Sequence, residues 1–282
     1  MGKTKLRGII WAGTIGLVFL NGTLQAQPGV EITQDQTTPA LFASGKRLIY
    51  AQFHNPAQQS VEANLRFRLY QASARTLMPL SEARALKTLT LSPGQTIVES
   101  FEVELPLVRG ETAFQVLCYD GEKKIGATEF NAFPDGLLKP LAVLAGETPP
   151  GLLDPEHQFK AALGSVPTHE LKEAEDVTAT NAKLILIAPM TAASRPAGLA
   201  AALKKKASEG GAIVWIQPLS GRHPEPLPDA FVVGEGSGRI VVAAAATVRD
   251  LASSPRAQLN LVRLAELATG KQQLELPRDP QP

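Results

Sequence analysis

The chain changes period once, near residue 134. From about residue 28 to 133, apolar and polar positions alternate in short runs separated by turn residues. The runs "RLIYAQFHN" (47–55), "VEANLRFRLYQ" (61–71), "KTLTL" (87–91), "QTIVESFEVEL" (95–105), "TAFQVLCYD" and "KKIGATEFNAF" (123–133) have the period of two, or the β-branched and aromatic content, of half-buried strands. In "NLRFRLY", Leu65, Phe67 and Leu69 point one way while Arg66 and Arg68 point the other, so one face of the sheet is wet. The connectors "HNPAQQ", "SPGQ", "VRGE" and "YDGEKK" are tight-turn chemistry. Six to eight strands in so short a stretch predict an immunoglobulin-like β-sandwich, without the Cys…Trp…Cys signature of antibody-type domains.

After "FNAFPDGLLKP" (130–140) the alternation stops. Four continuous apolar runs follow: "LAVLAG" (141–146), "KLILIAP" (183–189), "AIVWIQ" (212–217) and "RIVVAAAA" (239–246). Such runs predict strands buried on both faces, in a parallel sheet covered by helices. Three segments carry helix punctuation. "DPEHQFKAALG" has Asp154 as N-cap, Pro155 and Gly164; "SRPAGLAAALKKKASEGG" runs from near Ser194 to Gly210; "SPRAQLNLVRLAELATG" has Ser254, Pro255 and Gly270. In the last, Leu259, Val262, Leu264 and Leu267 approximate one apolar face. "HELKEAEDV" (169–177) supplies a polar edge strand or the loop beside one. The expected fold is therefore multidomain: an all-β immunoglobulin-like sandwich (27–134), then a three-layer α/β doubly wound parallel sheet of about five strands (140–271). Residues 272–282 read as a flexible tail.

The first 26 residues have a basic start, an apolar stretch twelve residues long from Ile9 to Leu20, and a small-residue end at Ala26. That is the pattern of a secretory signal peptide, shorter than the roughly 20 residues a membrane-spanning helix needs. The expected location is periplasmic or extracellular, with no membrane span after signal removal. These 26 residues hold Lys3, Lys5 and Arg7 and no acid, so removing them turns a formal charge of +1 into −2. A chain so near neutral has no overall field to attract nucleic acid. Cys118, the only cysteine, follows an alternating strand pattern and reads as a buried structural thiol.

In an open α/β sheet, ligands bind beyond the carboxyl ends of the strands, where the strand order switches. On the strands read above, the candidate rim is Glu147 after the first, Thr191 after the second, and Gln217 and Ser220 after the third. No catalytic template fits there. A nucleophile elbow needs glycines two residues either side of Ser220, and Pro218 and Arg222 stand in their place. Ser220 and His223 lie in a proline-rich stretch that reads as an extended loop. The glycines of "LAGETPPGLLDP" match no phosphate-binding pattern, and "GEGSG" (234–238) precedes a strand, as a hairpin or loop would. His54, His157, His169 and His223 are scattered without metal-ligand spacing. Trp215 lies inside a buried strand, and Tyr50, Tyr70 and Tyr119 lie in or at the ends of sandwich strands, forming no evident sugar platform. No cofactor and no metal are expected.

Residues 140–270 resemble the class I glutamine amidotransferase-like fold. The resemblance is carried by "LAVLAGE", "DPEHQFKAALGS", "NAKLILIAP", and "LAAALKKKASEGGAIVWIQP", where a helix ends in a glycine pair before an apolar strand. The closing "GSGRIVVAAAATVRDLASSPRAQLNLVRLAELATG" looks like the end of such domains in exported bacterial glycoside-hydrolase-like proteins. There a G-x-G-R-[IV]-V strand precedes a helix containing P-x-A-x-x-x-L. The family's catalytic cysteine falls just past the strand matched by "AIVWIQ", where this chain has Gln217 and Pro218, and no histidine follows His223. The resemblance therefore implies a degenerate domain to which no catalytic residue carries over. The expectation is an exported binding or interaction protein, with a protein or an envelope or polysaccharide component as partner; the alternative is an accessory or divergent carbohydrate-active hydrolase.

Overall fold

The computed structural model describes residues 29–33, 38–157, 159–160, 171–174, 176–217, 230–244 and 249–271. The expected signal peptide (1–26), the tail (272–282), Ser220, His169 and His223 lie outside the described residues. The chain is strand-rich, 45% strand against 15% helix, so sheets rather than helices set its architecture.

Among the described residues the alternating half forms nine strands: β1 (Glu31–Thr33), β2 (Ala40–Phe42), β3 (Gly45–His54), β4 (Val61–Ala72), β5 (Leu77–Pro79), β6 (Arg84–Leu91), β7 (Thr96–Leu105), β8 (Thr112–Asp120) and β9 (Lys123–Phe133). The short β1, β2 and β5 exceed what the periodicity predicts, because three residues are too few to display an alternation. One sheet is β1-β3-β7, antiparallel throughout; the other is β2-β9-β8-β4-β5, with β6 also paired to β4 and β2 parallel to β9. The ten-residue register of β3 on β7, from Gly45↔Leu105 to His54↔Thr96, turns Ile49, Ala51 and Phe53 inward with Phe101 and Val103. A slip of one residue would turn this whole set outward. Opposite them, β4 buries Ala63, Leu65, Phe67 and Leu69, and Phe67 stacks on Phe101 across the two sheets at 4.8 Å. Arg66 and Arg68 take the outer face, as the alternation predicts, and Cys118 is buried in this core. Asn55 is fully buried at the end of β3. Its Nδ2 donates to the carbonyls of Gln59, Leu91 and Ser92, and its Oδ1 accepts from the Ala57 N–H, so no polar atom of the amide is orphaned.

The third sheet has the order β11-β10-β12-β13-β15-β14, with β10 (Gly151–Leu153), β11 (Lys172–Glu173), β12 (Leu184–Ile187), β13 (Ala212–Gln217), β14 (Ala230–Glu235) and β15 (Gly238–Ala244). It is mixed, not wholly parallel as expected: β14 runs antiparallel to β15, and the sheet has six strands instead of five. The cause is the "GEGSG" segment, where Gly236 and Ser237 form a two-residue turn with Gly236 at φ 61°, folding the chain back as a hairpin. The edge strand read in "HELKEAEDV" is present as β11, parallel to β10.

The first strand is not where apolarity alone puts it. "LAVLAG" contributes α1 (Pro140–Ala145), with Pro140 at its first turn, Leu141 and Ala145 buried at helical spacing and Val143 73% exposed. A six-residue apolar run is ambiguous by periodicity, and the proline and the closing Gly146 at φ 80° settle it as helix. The strand is the three-residue β10, bounded by Pro150 and Pro155 and wholly buried.

Two further helices are α2 (Leu199–Ser208) and α3 (Pro255–Ala268). α2 starts five residues later than the expected Ser194, because Gly198 is left-handed at φ 71° and cannot belong to the helix it precedes. α3 starts as read: the Ser254 hydroxyl accepts from the Ala257 N–H, and Pro255 follows. Its buried arc includes Leu261, Val262, Leu264 and Leu267, while Leu259 is 37% exposed, against expectation. Leu259 is two positions from the buried Ala257 and Leu261, which puts it on the far side of the helix. Leu184, Leu186 and Ala188 face a core with α1 and α3, and Ile185 and Ile187 face one with α2, so both sides of the sheet are covered.

Candidate functional site

The chain leaves β10 for β11 on one side and enters β12 on the other. That reversal is the switch point of this sheet, and the crevice of such a fold opens at the carboxyl ends of β10 and β12.

Because β10 ends at Leu153, the residues that follow it there are Asp154, Glu156 and His157. Glu147 precedes β10, so it belongs to the opposite end of the sheet and not to the rim; the placement of the strand at 141–146 misassigned it. Thr191 follows β12, whose last residue is Ile187. Gln217 ends β13, half-buried and in register with Ala244. Glu156 and Ser194 belong to the rim and escaped sequence reasoning; the visible signal was the "DPE" directly after a short apolar triplet.

The geometry is that of a clasp. Glu156 Oε1 accepts from the Thr191 backbone N–H at 2.8 Å, from the Thr191 hydroxyl at 2.6 Å and from the Ser194 hydroxyl. The loop after β10 is thereby tied to the loop after β12 across the switch. Asp154 is buried; its Oδ2 accepts from the Lys160 N–H at 2.9 Å and its backbone carbonyl from the His157 N–H, while its Oδ1 has no partner among the described residues. His157 is exposed and held at φ 53°, a conformation that costs a non-glycine residue energy and that the turn between Asp154 and the helical residues 159–160 imposes.

One residue beyond Ser194, the Arg195 guanidinium lies 5.7 Å from the Trp215 ring centre. Trp215 is half-buried against the α2-side core, so its packing role holds while one part of the ring meets a cation instead of a side chain from the core. Among the described residues no imidazole is hydrogen-bonded to the Thr191 or Ser194 hydroxyl, and no group of three or more His, Cys, Asp or Glu could hold a metal ion. His54 is at the end of β3, its Nδ1 2.9 Å from the Thr96 hydroxyl, far along the chain from this rim. No helix among the described residues is long and apolar enough to cross a membrane.

No protein-family model matches this chain, and no curated protein matches it. The solved structures it is similar to include a β-glucosidase from Listeria innocua in complex with glucose, at 14% identity and a TM-score of 0.29 over 38% of this chain and 16% of that one. A GH3 β-glucosidase from Bifidobacterium adolescentis is similar at 11% identity and a TM-score of 0.26, over 39% of this chain and 18% of that one. The alkylpurine DNA glycosylase AlkC of Pseudomonas fluorescens, bound to DNA containing an abasic site analog, is similar at 16% identity and a TM-score of 0.28, over 38% and 31%. This chain thus spans less than a fifth of the length of the β-glucosidases. At these TM-scores the likeness is fragmentary, and nothing of those proteins' chemistry transfers to this chain.

Proposed function

We propose that this is an exported binding protein without catalytic activity. In this reading an immunoglobulin-like sandwich (27–134) precedes a three-layer α/β unit (140–271) of the glutamine amidotransferase-like type that has lost its nucleophile. The partner is a protein or a polysaccharide component of the cell envelope. The observation that carries the reading is the clasp of Glu156 on Thr191 and Ser194 at the switch point. A general acid or base needs an open path to a proton of the substrate. A carboxylate oxygen that already holds three donors from its own chain serves as a latch between two loops. Gln217 and Pro218, where the family has its cysteine, support the same conclusion.

The test is a screen of the purified chain against esterase, amidase and glycosidase substrates. No turnover above buffer is expected. Turnover abolished by Glu156→Gln or by Ser220→Ala overturns the proposal and favours a divergent carbohydrate-active hydrolase.

A further inference from the structure

The outer face of the sheet that contains β4 and β8 gathers four half-buried side chains. Arg66, Arg68 and Tyr70 alternate outward on β4, and Tyr119 lies outward on β8, in register with Arg66. The Tyr70 and Tyr119 hydroxyls meet at 3.4 Å. Leu117 sits between them on the same face, in register with Arg68, and is only 7% exposed, so the two phenols close over it. The Arg68 guanidinium lies 5.5 Å from the Tyr70 ring centre, and its Nε donates to the Ser81 carbonyl at 2.7 Å. Arg68 has no carboxylate partner among the described residues. Beside it is a pocket of about 170 Å³ lined by Arg66, Arg68, Ala83, Tyr119, Gly121 and Glu122.

We infer that this pocket binds the carboxylate of an acidic sugar, a uronic acid residue of an anionic polysaccharide. Three features select that class. A carboxylate already stands at the pocket's edge: Glu122 is ion-paired with Arg66 through one oxygen on one guanidinium nitrogen, and its side chain is 93% exposed, so a ligand carboxylate can displace it. The unpaired end of Arg68 offers a second planar fork, suited to a second oxygen of the same group. Beyond the anionic group there is room for a ring, with the Tyr119 hydroxyl and, once displaced, the Glu122 carboxylate to hydrogen-bond sugar hydroxyls. Tyr119 remains a proton donor at any physiological pH, since its hydrogen bond to Tyr70 and its partial burial push its phenol up to about 12. A polyanion of high charge density is disfavoured by Glu122 at the pocket and by a chain whose formal charge is −2 without its first 26 residues. The site lies on a different sheet from the Glu156 clasp, and it stands whether or not that rim binds anything.

The experiment is a calorimetric and NMR titration of the full chain with D-galacturonate and D-glucuronate, with glucose, acetate and sulfate as comparison probes. Saturable binding of a uronate, absent with glucose and at least tenfold weaker with acetate and sulfate, is expected. Arg68→Ala weakens uronate binding about tenfold or more, and Tyr119→Phe about threefold, as the loss of charge-assisted and neutral hydrogen bonds implies. Glu122→Gln frees Arg66 and tightens binding about threefold; this exposed position carries no folding risk, so the prediction of a gain survives even if Arg68→Ala loosens the Ser81 loop. Equal binding of acetate or sulfate, uronate binding that survives Arg68→Ala in a folded chain, or weakened binding in Glu122→Gln each overturns the inference.

Discussion

Cys118 is the residue whose titration reports most directly on packing. It points inward from β8 into a buried cluster with Val116 and several phenylalanines, and burial pushes its thiol from 9.0 up to about 12. The thiolate is the reactive form, so the native protein is expected to resist thiol reagents at pH 8 and to react at the rate of unfolding. The same shift makes stability depend on alkaline pH. Between pH 9 and 12 the unfolded chain has released the proton while the folded chain still holds it, so the unfolded state binds fewer protons and stability falls as pH rises. The slope approaches but does not exceed about 1.4 kcal/mol per pH unit for this one group. Tyr119, also raised to about 12, adds to the fall above pH 10. Urea midpoints at pH 7, 9, 10 and 11 check this: wild type declines over that window, and Cys118→Ala declines less. An identical slope in the two proteins would show that the thiol is not buried as described. That Cys118 is an inert core thiol was legible in the alternation of "AFQVLCYD". The pairing of Tyr70 with Tyr119 was not, because it depends on which strand lies beside which, and it joins residues 49 positions apart in the chain.

Among the elements, the β14–β15 hairpin shows what a sequence pattern means physically. The segment "GSGR" was visible as a pattern, but its reason lies in contacts between α2, the loop after it and the strand. A Cβ on Gly238 would stand 2.3 Å from both the Ala207 and the Gly211 carbonyl oxygens, and these are backbone atoms that no rotamer change can move aside. Gly236 turns the hairpin at positive φ, against the backbone of Ser208. Arg239 reaches the other helix, its guanidinium beside Gly270 and toward the Leu267 carbonyl at the end of α3. These three residues thus lock one strand between the ends of two helices. Gly238→Ala is expected to destabilise the chain by about 3 kcal/mol or more, since main chains must part to admit the methyl group. Gly234→Ala, in the same hairpin but with open space at its Cβ, stays within about 0.5 kcal/mol of wild type. Denaturant midpoints of the two variants make the comparison, and equal losses would refute the steric account. The same sheet shows where sequence patterning misleads. "LAVLAG" outranks "GLL" as a strand by apolar length, yet the pair of prolines before Gly151 and Pro155 after Leu153 cut a strand that apolarity alone could not find. With that strand misplaced, the rim shifted from Asp154 and Glu156 to Glu147. Thr191 and Gln217 keep their places after the second run and at the end of the third because "KLILIAP" and "AIVWIQ" do form strands.

For the molecule as a whole, the decisive fact is that the buried clusters do not mix. One cluster draws its buried residues only from positions up to Ala132, and the other two draw theirs only from Leu141 onward. Among the described residues what joins them is slight by comparison: α3 touches β2, the three-residue strand at the edge of the large sheet, and Arg256 at the start of α3 donates to the Thr38 carbonyl beside it. A surface hydrogen bond of this kind contributes about 1 kcal/mol, well below what couples two cores into one cooperative unit. Calorimetry is therefore expected to resolve two transitions. Gly238→Ala identifies them, because its clash touches only the cluster packed with α2 and α3 and should lower one midpoint while leaving the other in place. Alkaline pH acts in the opposite sense, lowering the transition of the half that contains Cys118 and sparing its partner. Arg256→Ala should bring the two closer to independence without moving either by more than about 4–8 °C, the shift that losing about 1 kcal/mol produces in units of this size. A single transition that moves as one under both perturbations would mean that the cores communicate through more than this contact, and that the change of period near residue 134 marks a change of architecture without a boundary in stability.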